Sequence, residues 1–412
     1  MSHLDLKLIR SYFPGFHHPA NSNIIFGENA GGSLVNRFVL DKHQHYMANC
    51  RVQPYNGYGP SEEAGEAMDE SYRRLAELHG VSSQEIMFGP STSMNSYIFA
   101  QALAQSLNPK DEIVVTNQDH EANNGAWRRL AERGFTVREW AVDPEYGLLN
   151  TDDLRPLLNE NTKIVCFPHC SNLTGAKNDV GAICDIVHQA GAKAIVDGVA
   201  WTPHQAPNFK ALGADAYMYS MYKTYGPHLG LLYVDLTWLE GLANQGHFFN
   251  THKASYRLTP AGPHHNDIAC ASGVVDYYEA VADAHNITGN DLNAKTAQLF
   301  ERFALQEEAL SEVLLAGLHS IDSVKVFGPQ GSSRHERAPT IGFCSSKTPS
   351  STIAAQLHQR GIGVSSGHFY AYRLAQALNR TPEEAVVRIS FLHYNSLEEA
   401  ETVVNAITDI LA

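Results

Sequence analysis

Lys223 lies in the run Tyr217-Met218-Tyr219-Ser220-Met221-Tyr222-Lys223-Thr224-Tyr225-Gly226-Pro227, between an apolar, aromatic stretch and a Gly-Pro turn. Upstream, Ala194-Ile195-Val196-Asp197-Gly198 reads as a second strand that ends on a carboxylate. An amine desolvated by aromatic neighbours has a lowered pKa, which makes it a nucleophile and then a base. A carboxylate on an apolar strand is costly unless a cation meets it. Together the two suit pyridoxal 5'-phosphate: Lys223 would form the Schiff base, and Asp197 would keep the pyridine nitrogen protonated. A loop lysine and a solvated strand end are the plainer alternatives.

Other residues fit the same chemistry at the ends of strands. In Gly89-Pro90-Ser91-Thr92-Ser93, small hydroxyl residues stand where a strand gives way to a helix. Such residues cap helices, and the free N–H groups behind them suit a dianionic phosphate. His120, after the run Ile113-Val114-Val115-Thr116, can lie over a flat cofactor and shuttle protons, or can simply be structural. Asn172 follows the strand that contains Cys166, where its amide can donate to a phenolic oxygen or form an Asx turn. Arg388 interrupts the apolar run Val386-Val387-Arg388-Ile389-Ser390. A substrate carboxylate is an ideal bidentate partner for it, and an internal ion pair is the alternative.

The chain that must position these groups has 412 residues, 43% of them hydrophobic and 18% charged, enough for two domains. Its formal net charge of −14 argues against nucleic acids and anionic membranes as main partners. No signal peptide is read at Met1-Ser2-His3-Leu4, and no apolar run approaches a membrane span. Six scattered cysteines suit reduced thiols in the cytoplasm. Cys166 and Cys170 flank His169, but residues four apart on a strand are about 13 Å apart, so no metal site is expected there.

Between residues 80 and 235 short β-rich runs alternate with helical patterns. Strands are expected at Glu85–Phe88, Glu112–Thr116, Thr136–Trp140, Lys163–Pro168, Lys193–Asp197, Ala214–Ser220 and Gly230–Val234. Helices are expected at Ser61–Leu78, Thr92–Leu107, Asn123–Arg133, Asn150–Leu158 and Val180–Ala190. This is the pattern of an α/β fold with a mostly parallel sheet between helices, whose site gathers beyond the carboxyl ends of the strands. Later come helices at Val274–His285 and Lys295–His319. Strands follow at Val324–Phe327, Thr340–Cys344, Gly363–Ser365 and Val387–Ser390, and a helix at Ser396–Leu411 closes the chain. The division expected is an N-terminal segment (1–20) near the small domain and the site, a large cofactor domain (21–272) and a small α+β domain (273–412).

Over nearly its whole length the sequence resembles the class V aminotransferase superfamily, on its cysteine desulfurase-like branch. Phe26-Gly27-Glu28-Asn29-Ala30 is similar to the N-terminal motif that lines the substrate site. Val196-Asp197-Gly198 with Lys223 after Ser220 is similar to the cofactor signature. The resemblance implies the fold type I transferase architecture, with a seven-stranded sheet, and homodimers acting on amino acids. It makes Lys223 the Schiff-base lysine, Asp197 the pyridinium partner and His120 the stacking residue. Asn172 would meet the phenolic oxygen, Ser91, Thr92 and Ser220 the phosphate, and Arg388, with Asn29 and Ala30, the substrate. The segment Ala261-Gly262-Pro263-His264-His265-Asn266 would reach the phosphate of the partner subunit, with His264 replacing the usual small hydroxyl residue.

The departures bear on the reaction. Desulfurases carry a mobile cysteine in the loop matched by Ser365-Ser366-Gly367-His368-Phe369-Tyr370, where this sequence has Tyr370. Persulfide formation is therefore not expected. Tyr222, where desulfurases have histidine, looks more like kynureninase and could reach the phosphate. Ala200 replaces a glutamine that would contact the phenolic oxygen. An α-amino acid would pass through an external aldimine and a quinonoid, with aminotransferase-type or desulfurase-like chemistry without a protein persulfide favoured. β-Elimination by a lyase is the alternative, and racemisation or a low-turnover accessory role lies further off. His368, Tyr370, Tyr372 and Arg373 would shape that choice.

Overall fold

The computed structural model describes residues 4–412. Its centre is a seven-stranded sheet in the order Ile86–Gly89, Gly230–Val234, Ala216–Ser220, Lys193–Asp197, Thr162–Pro168, Glu112–Thr116, Thr136–Trp140. Only Gly230–Val234 runs against the others, pairing antiparallel with both of its neighbours. The remaining pairs are parallel. Val196, Tyr217, Tyr219, Val165 and Phe167 enter the apolar cluster on one face. Ile195, Ala216, Met218, Ile164 and Cys166 enter the cluster on the other. That alternation explains why these strands read as unbroken apolar runs: both faces are covered.

A four-stranded antiparallel sheet, Ser365–Gly367, Val386–Ser390, Thr340–Ser345, Val324–Val326, forms the C-terminal layer with the helices Ser350–Gln359 and Leu397–Leu411. The helix Leu292–His319 serves both layers. Its Leu299, Phe300 and Phe303 pack in the large cluster, and its Leu310, Leu314 and Leu318 pack in the C-terminal one. The helix Gly273–Ala284 packs Val274, Tyr277, Tyr278 and Val281 into the large cluster. Residues 1–3 of the expected N-terminal segment lie outside the described residues. From Leu6 a short helix leads to Phe13, whose ring lies 5.1 Å from Tyr277 and 5.0 Å from Tyr394. Arg10 pairs with Glu399 at 2.7 Å.

Several expected elements have other limits, each for a local reason. Asn150–Leu158 is one α-helical turn, Thr151–Leu154, followed by a 3-10 turn, because Pro156 cannot donate to the helix ladder. Asn123–Arg133 becomes the short helix Gly125–Arg128 and a 3-10 stretch ending at left-handed Gly134. Its start is held back because Asn124 bonds to Thr116 O at 2.8 Å. The expected strand Gly363–Ser365 is two strands. Ile362–Gly363 pairs with Ile25–Phe26, and Ser365–Gly367 with Val386–Ser390. The helices Arg37–Asn49 and Ser350–Gln359 were not legible, the first burying only Val39 and Tyr46. No helix among the described residues is long and apolar enough to cross a membrane.

Candidate active site

The carboxyl ends of the parallel strands deliver their side chains into one cleft of about 480 Å³. It is lined by Ser91, Thr92, His120, Asn172, Asp197, Ser220, Tyr222 and Lys223, together with Ser93, Ala122, Pro168, Cys170, Val199 and Ala200. Asp197 is the last residue of its strand and pairs in register with Met218 on the next. Lys223 ends the 3-10 turn Met221–Lys223 that follows the strand Ala216–Ser220. Ser33, just past the N-terminal motif, fastens that turn. Ser33 N donates to Tyr222 O at 3.1 Å, and Tyr225 N donates to Ser33 Oγ at 2.8 Å. Tyr225 sits at φ 67°, so the turn is held in an unusual left-handed backbone.

Burial and charge set the chemistry of the two key groups. Lys223 is pushed down to about 8, first by burial and then by the nearby positive charge of Arg388. Asp197 is pushed up to about 6 by burial, against the opposing hydrogen bond from Val199 N at 2.8 Å. No direct ion pair joins them. Burial, with the charges of Lys223 and Arg388, pushes His120 down to about 3, so its imidazole is neutral. Its Nδ1 accepts from Ala122 N at 3.0 Å.

At the other end, Ser91 caps the helix Thr92–Leu103 by accepting from Met94 N at 3.2 Å, and Thr92 Oγ1 lies 2.8 Å from Ser220 Oγ. Gly230 is required here, since a Cβ would run into the backbone of Ser91 and Thr92. Hydroxyls and a helix N-terminus at one end suit a phosphate. At the other, a buried carboxylate and an amine have no partner in each other. Asn172, which also lines the cleft, has its Oδ1 buried without a hydrogen bond. The hydroxyl donors and helix N-terminus at one end, with the buried carboxylate and buried amine at the other, are the donor set that fits pyridoxal phosphate.

The remaining expected residues lie around this cleft. Asn29 is buried, donating to Phe26 O and Ser390 O, both at 2.8 Å, so its side chain braces the motif and does not enter the cleft. Ala30 N donates to Ser390 Oγ at 2.8 Å. Arg388 stands behind Asn172, donating to its carbonyl at 2.9 Å. The segment His368–Arg373 arches over the site. Asn172 Nδ2 donates to Phe369 O and Glu121 N to Tyr370 O, each at 2.8 Å, while Tyr370 lies 5.2 Å from the His120 ring. Tyr372 lies 5.3 Å from His368. Arg373 is tied to Glu121 at 2.5 Å. His264 is exposed, pairs with Asp267 at 3.2 Å, and lines a neighbouring cavity with Gly89 and Pro90. Tyr222 stacks on His228 at 4.6 Å.

Sequence reasoning missed Glu28 and Phe369. Glu28 Oε1 lies 2.5 Å from Arg388 Nη2, and the Arg388 guanidinium lies 3.8 Å from the Phe369 ring centre. The only sequence signal was an acid inside a glycine-rich motif. Cys170 also lines the cleft, and burial pushes its thiol up to about 12.

A family model described as "Aminotransferase class-V" matches residues 25–403. The "Aminotransferase-like protein FGM3" of Gibberella zeae is 32% identical over 100% of this chain and 99% of its own length. The "Cysteine desulfurase-like protein ustD" of Aspergillus flavus is 29% identical over 99% of this chain and 91% of its own. In fold, the chain is similar to a cysteine desulfurase from Thermococcus onnurineus, with a TM-score of 0.86 at 23% identity over 100% of this chain and 99% of that one.

Proposed function

We propose, on the premise that this chain belongs to the class V aminotransferase family, that it is a pyridoxal-phosphate-dependent enzyme acting on an α-amino acid without a protein persulfide. The observation that carries this reading is the pairing in one cleft of buried Lys223, at about 8, with buried Asp197, which it does not neutralise directly. The family is pyridoxal-phosphate-dependent. When bound, the cofactor supplies a cationic ring that withdraws electrons from the bonds at the amino acid's α-carbon.

This chain's residues would do the rest. Ser91, Thr92, Ser220 and the free N–H groups of the helix Thr92–Leu103 hold the phosphate, with Tyr222 beside them. Asp197 keeps the ring nitrogen protonated, which also relieves the cost of its own burial. His120, uncharged, lies over the ring without repelling it. Asn172 Nδ2, one proton of which goes to Phe369 O, donates its other to the phenolic oxygen. Arg388 binds the substrate carboxylate. Lys223, with a pKa close to working pH, takes the α-proton and can return it to another atom. His368 and Tyr370 bound the side-chain pocket. Two copies of the chain form the working unit, with His264 of each near the other's phosphate.

Two facts support chemistry without a persulfide. The segment Ser365–Tyr370 contains no cysteine. Cys170, in the cleft wall, is held as a thiol by burial and donates to Gly175 O at 3.3 Å. The test is a panel of single amino acids added to the purified, cofactor-loaded protein. A shift of the yellow band to the shorter wavelength of pyridoxamine marks transamination. Pyruvate or sulfide release marks a β-eliminating lyase. No spectral response and no product from any amino acid rejects the proposal.

A further inference from the structure

Arg388 is a buried cation with an incomplete set of partners. Nη1 donates to Asn172 O at 2.9 Å and Nη2 to Glu28 Oε1 at 2.5 Å, while the Phe369 ring covers one face. Its Nε is buried and makes no hydrogen bond. Across the pair, Glu28 Oε2 is likewise buried with no donor. Guanidinium and carboxylate can form two parallel hydrogen bonds, and here they form one. A buried donor and a buried acceptor left unmade in the same pair weaken it, so it is open to replacement by a ligand carboxylate that accepts from Nε while water donates to the displaced Glu28.

The two partners differ in freedom. The Arg388 side chain is 3% exposed and the Glu28 side chain 33%. Arg388 is also gripped by Asn172 O and by Phe369, whose segment is tethered at Phe369 O and Tyr370 O. When the pair opens, Glu28 is the side that can swing to water.

We propose that Glu28 is an internal competitor for the substrate. Its carboxylate occupies Arg388 in the free protein and must yield when the carboxylate of an amino acid arrives. Glu28 thereby sets how tightly carboxylate ligands bind. The arithmetic is that of a competent state populated only part of the time: apparent affinity falls by the fraction of molecules in which Glu28 has vacated. The proposal rests on the reading of Arg388 as the carboxylate-binding residue.

The experiment measures propionate binding to the cofactor-loaded protein by calorimetry, with no turnover involved. Glu28→Gln keeps the size of the side chain and removes its charge, and Glu28→Ala removes the side chain. Both are expected to bind propionate at least about tenfold more tightly than the unaltered protein, the scale of a charged competitor removed from a buried guanidinium. Arg388→Ala is expected to abolish binding, alone and combined with Glu28→Gln. If Arg388→Ala abolishes binding but neither Glu28 variant tightens it, the competitor role is overturned while the reading of Arg388 stands. If Arg388→Ala leaves binding unchanged, the reading of Arg388 falls and the competitor role falls with it.

Discussion

Lys223 and Asp197 face one cleft from the ends of neighbouring parallel strands, both buried, with no ion pair between them. In most proteins two such groups would close on each other, because an unpaired buried charge is expensive. Here the backbone keeps them apart. Asp197 is fixed by the Val199 N–H at 2.8 Å, and the Lys223 turn is fastened by Ser33. That separation would leave room for a flat cationic ring, as the proposed function requires.

Lys223→Ala is expected to abolish the internal-aldimine band and, with it, covalent fixation of the cofactor to the chain by borohydride. A yellow, borohydride-reducible protein that persists in the variant would remove Lys223 from its assigned role.

Asp197 gives opposite signs in the cofactor-free and loaded protein. Its pKa is raised from 3.8 to about 6 by burial. The folded state therefore holds a proton that the unfolded chain has already released, and stability falls as pH rises through that window. Roughly two pKa units at 1.4 kcal/mol each correspond to about 3 kcal/mol. Asp197→Asn should thus stabilise the cofactor-free protein at neutral pH by up to about 3 kcal/mol, with the gain vanishing below about pH 4. The same substitution should weaken cofactor binding. Denaturant melts at both pH values and a cofactor titration check the two arms. A variant less stable at neutral pH would contradict the assigned burial cost.

Gly230→Ala places a methyl group against the backbone of Ser91 and Thr92. The helix N-terminus must then shift away from Ser220. We expect cofactor affinity to fall about tenfold or more, the scale of a lost charge-assisted hydrogen bond. Ser91→Ala should cost about 1 kcal/mol of stability through loss of the cap alone. Unchanged affinity in Gly230→Ala would place the phosphate elsewhere.

Arg388→Ala should weaken amino-acid binding by about 2–4 kcal/mol, the size of a broken buried charge pair. Equilibrium titration with a non-reacting amino acid reads this directly. An unchanged dissociation constant would take Arg388 out of the site.

The large sheet was legible because both of its faces are buried. Runs such as Ala194-Ile195-Val196 and Tyr217-Met218-Tyr219 must be apolar throughout, and their limits differ from expectation by only a residue or two. Elements that bury one narrow stripe, such as Arg37–Asn49, carry too weak a period to be read. Lys223, Asp197, Ser91, Thr92, His120 and Asn172 could be picked out because each stands next to a strand end, and strand ends are marked locally by glycine, proline and small polar residues, whereas Ser220 and Tyr222 followed from the family resemblance. They then meet in one cleft because parallel strands deliver their carboxyl ends to the same side.

Sequence alone therefore determined the fold class and which residues gather in the cleft, since alternation of strand and helix fixes which ends converge. Tertiary structure alone decided what stands against what across long gaps in the chain. It placed Glu28 on Arg388, Phe369 over that guanidinium, and Asn29 in a brace instead of the cleft. The physical reason is that a side chain's type is written in its codon, whereas its partner depends on packing between layers hundreds of residues apart, where one hydrogen bond more or less selects among neighbours of equal local propensity.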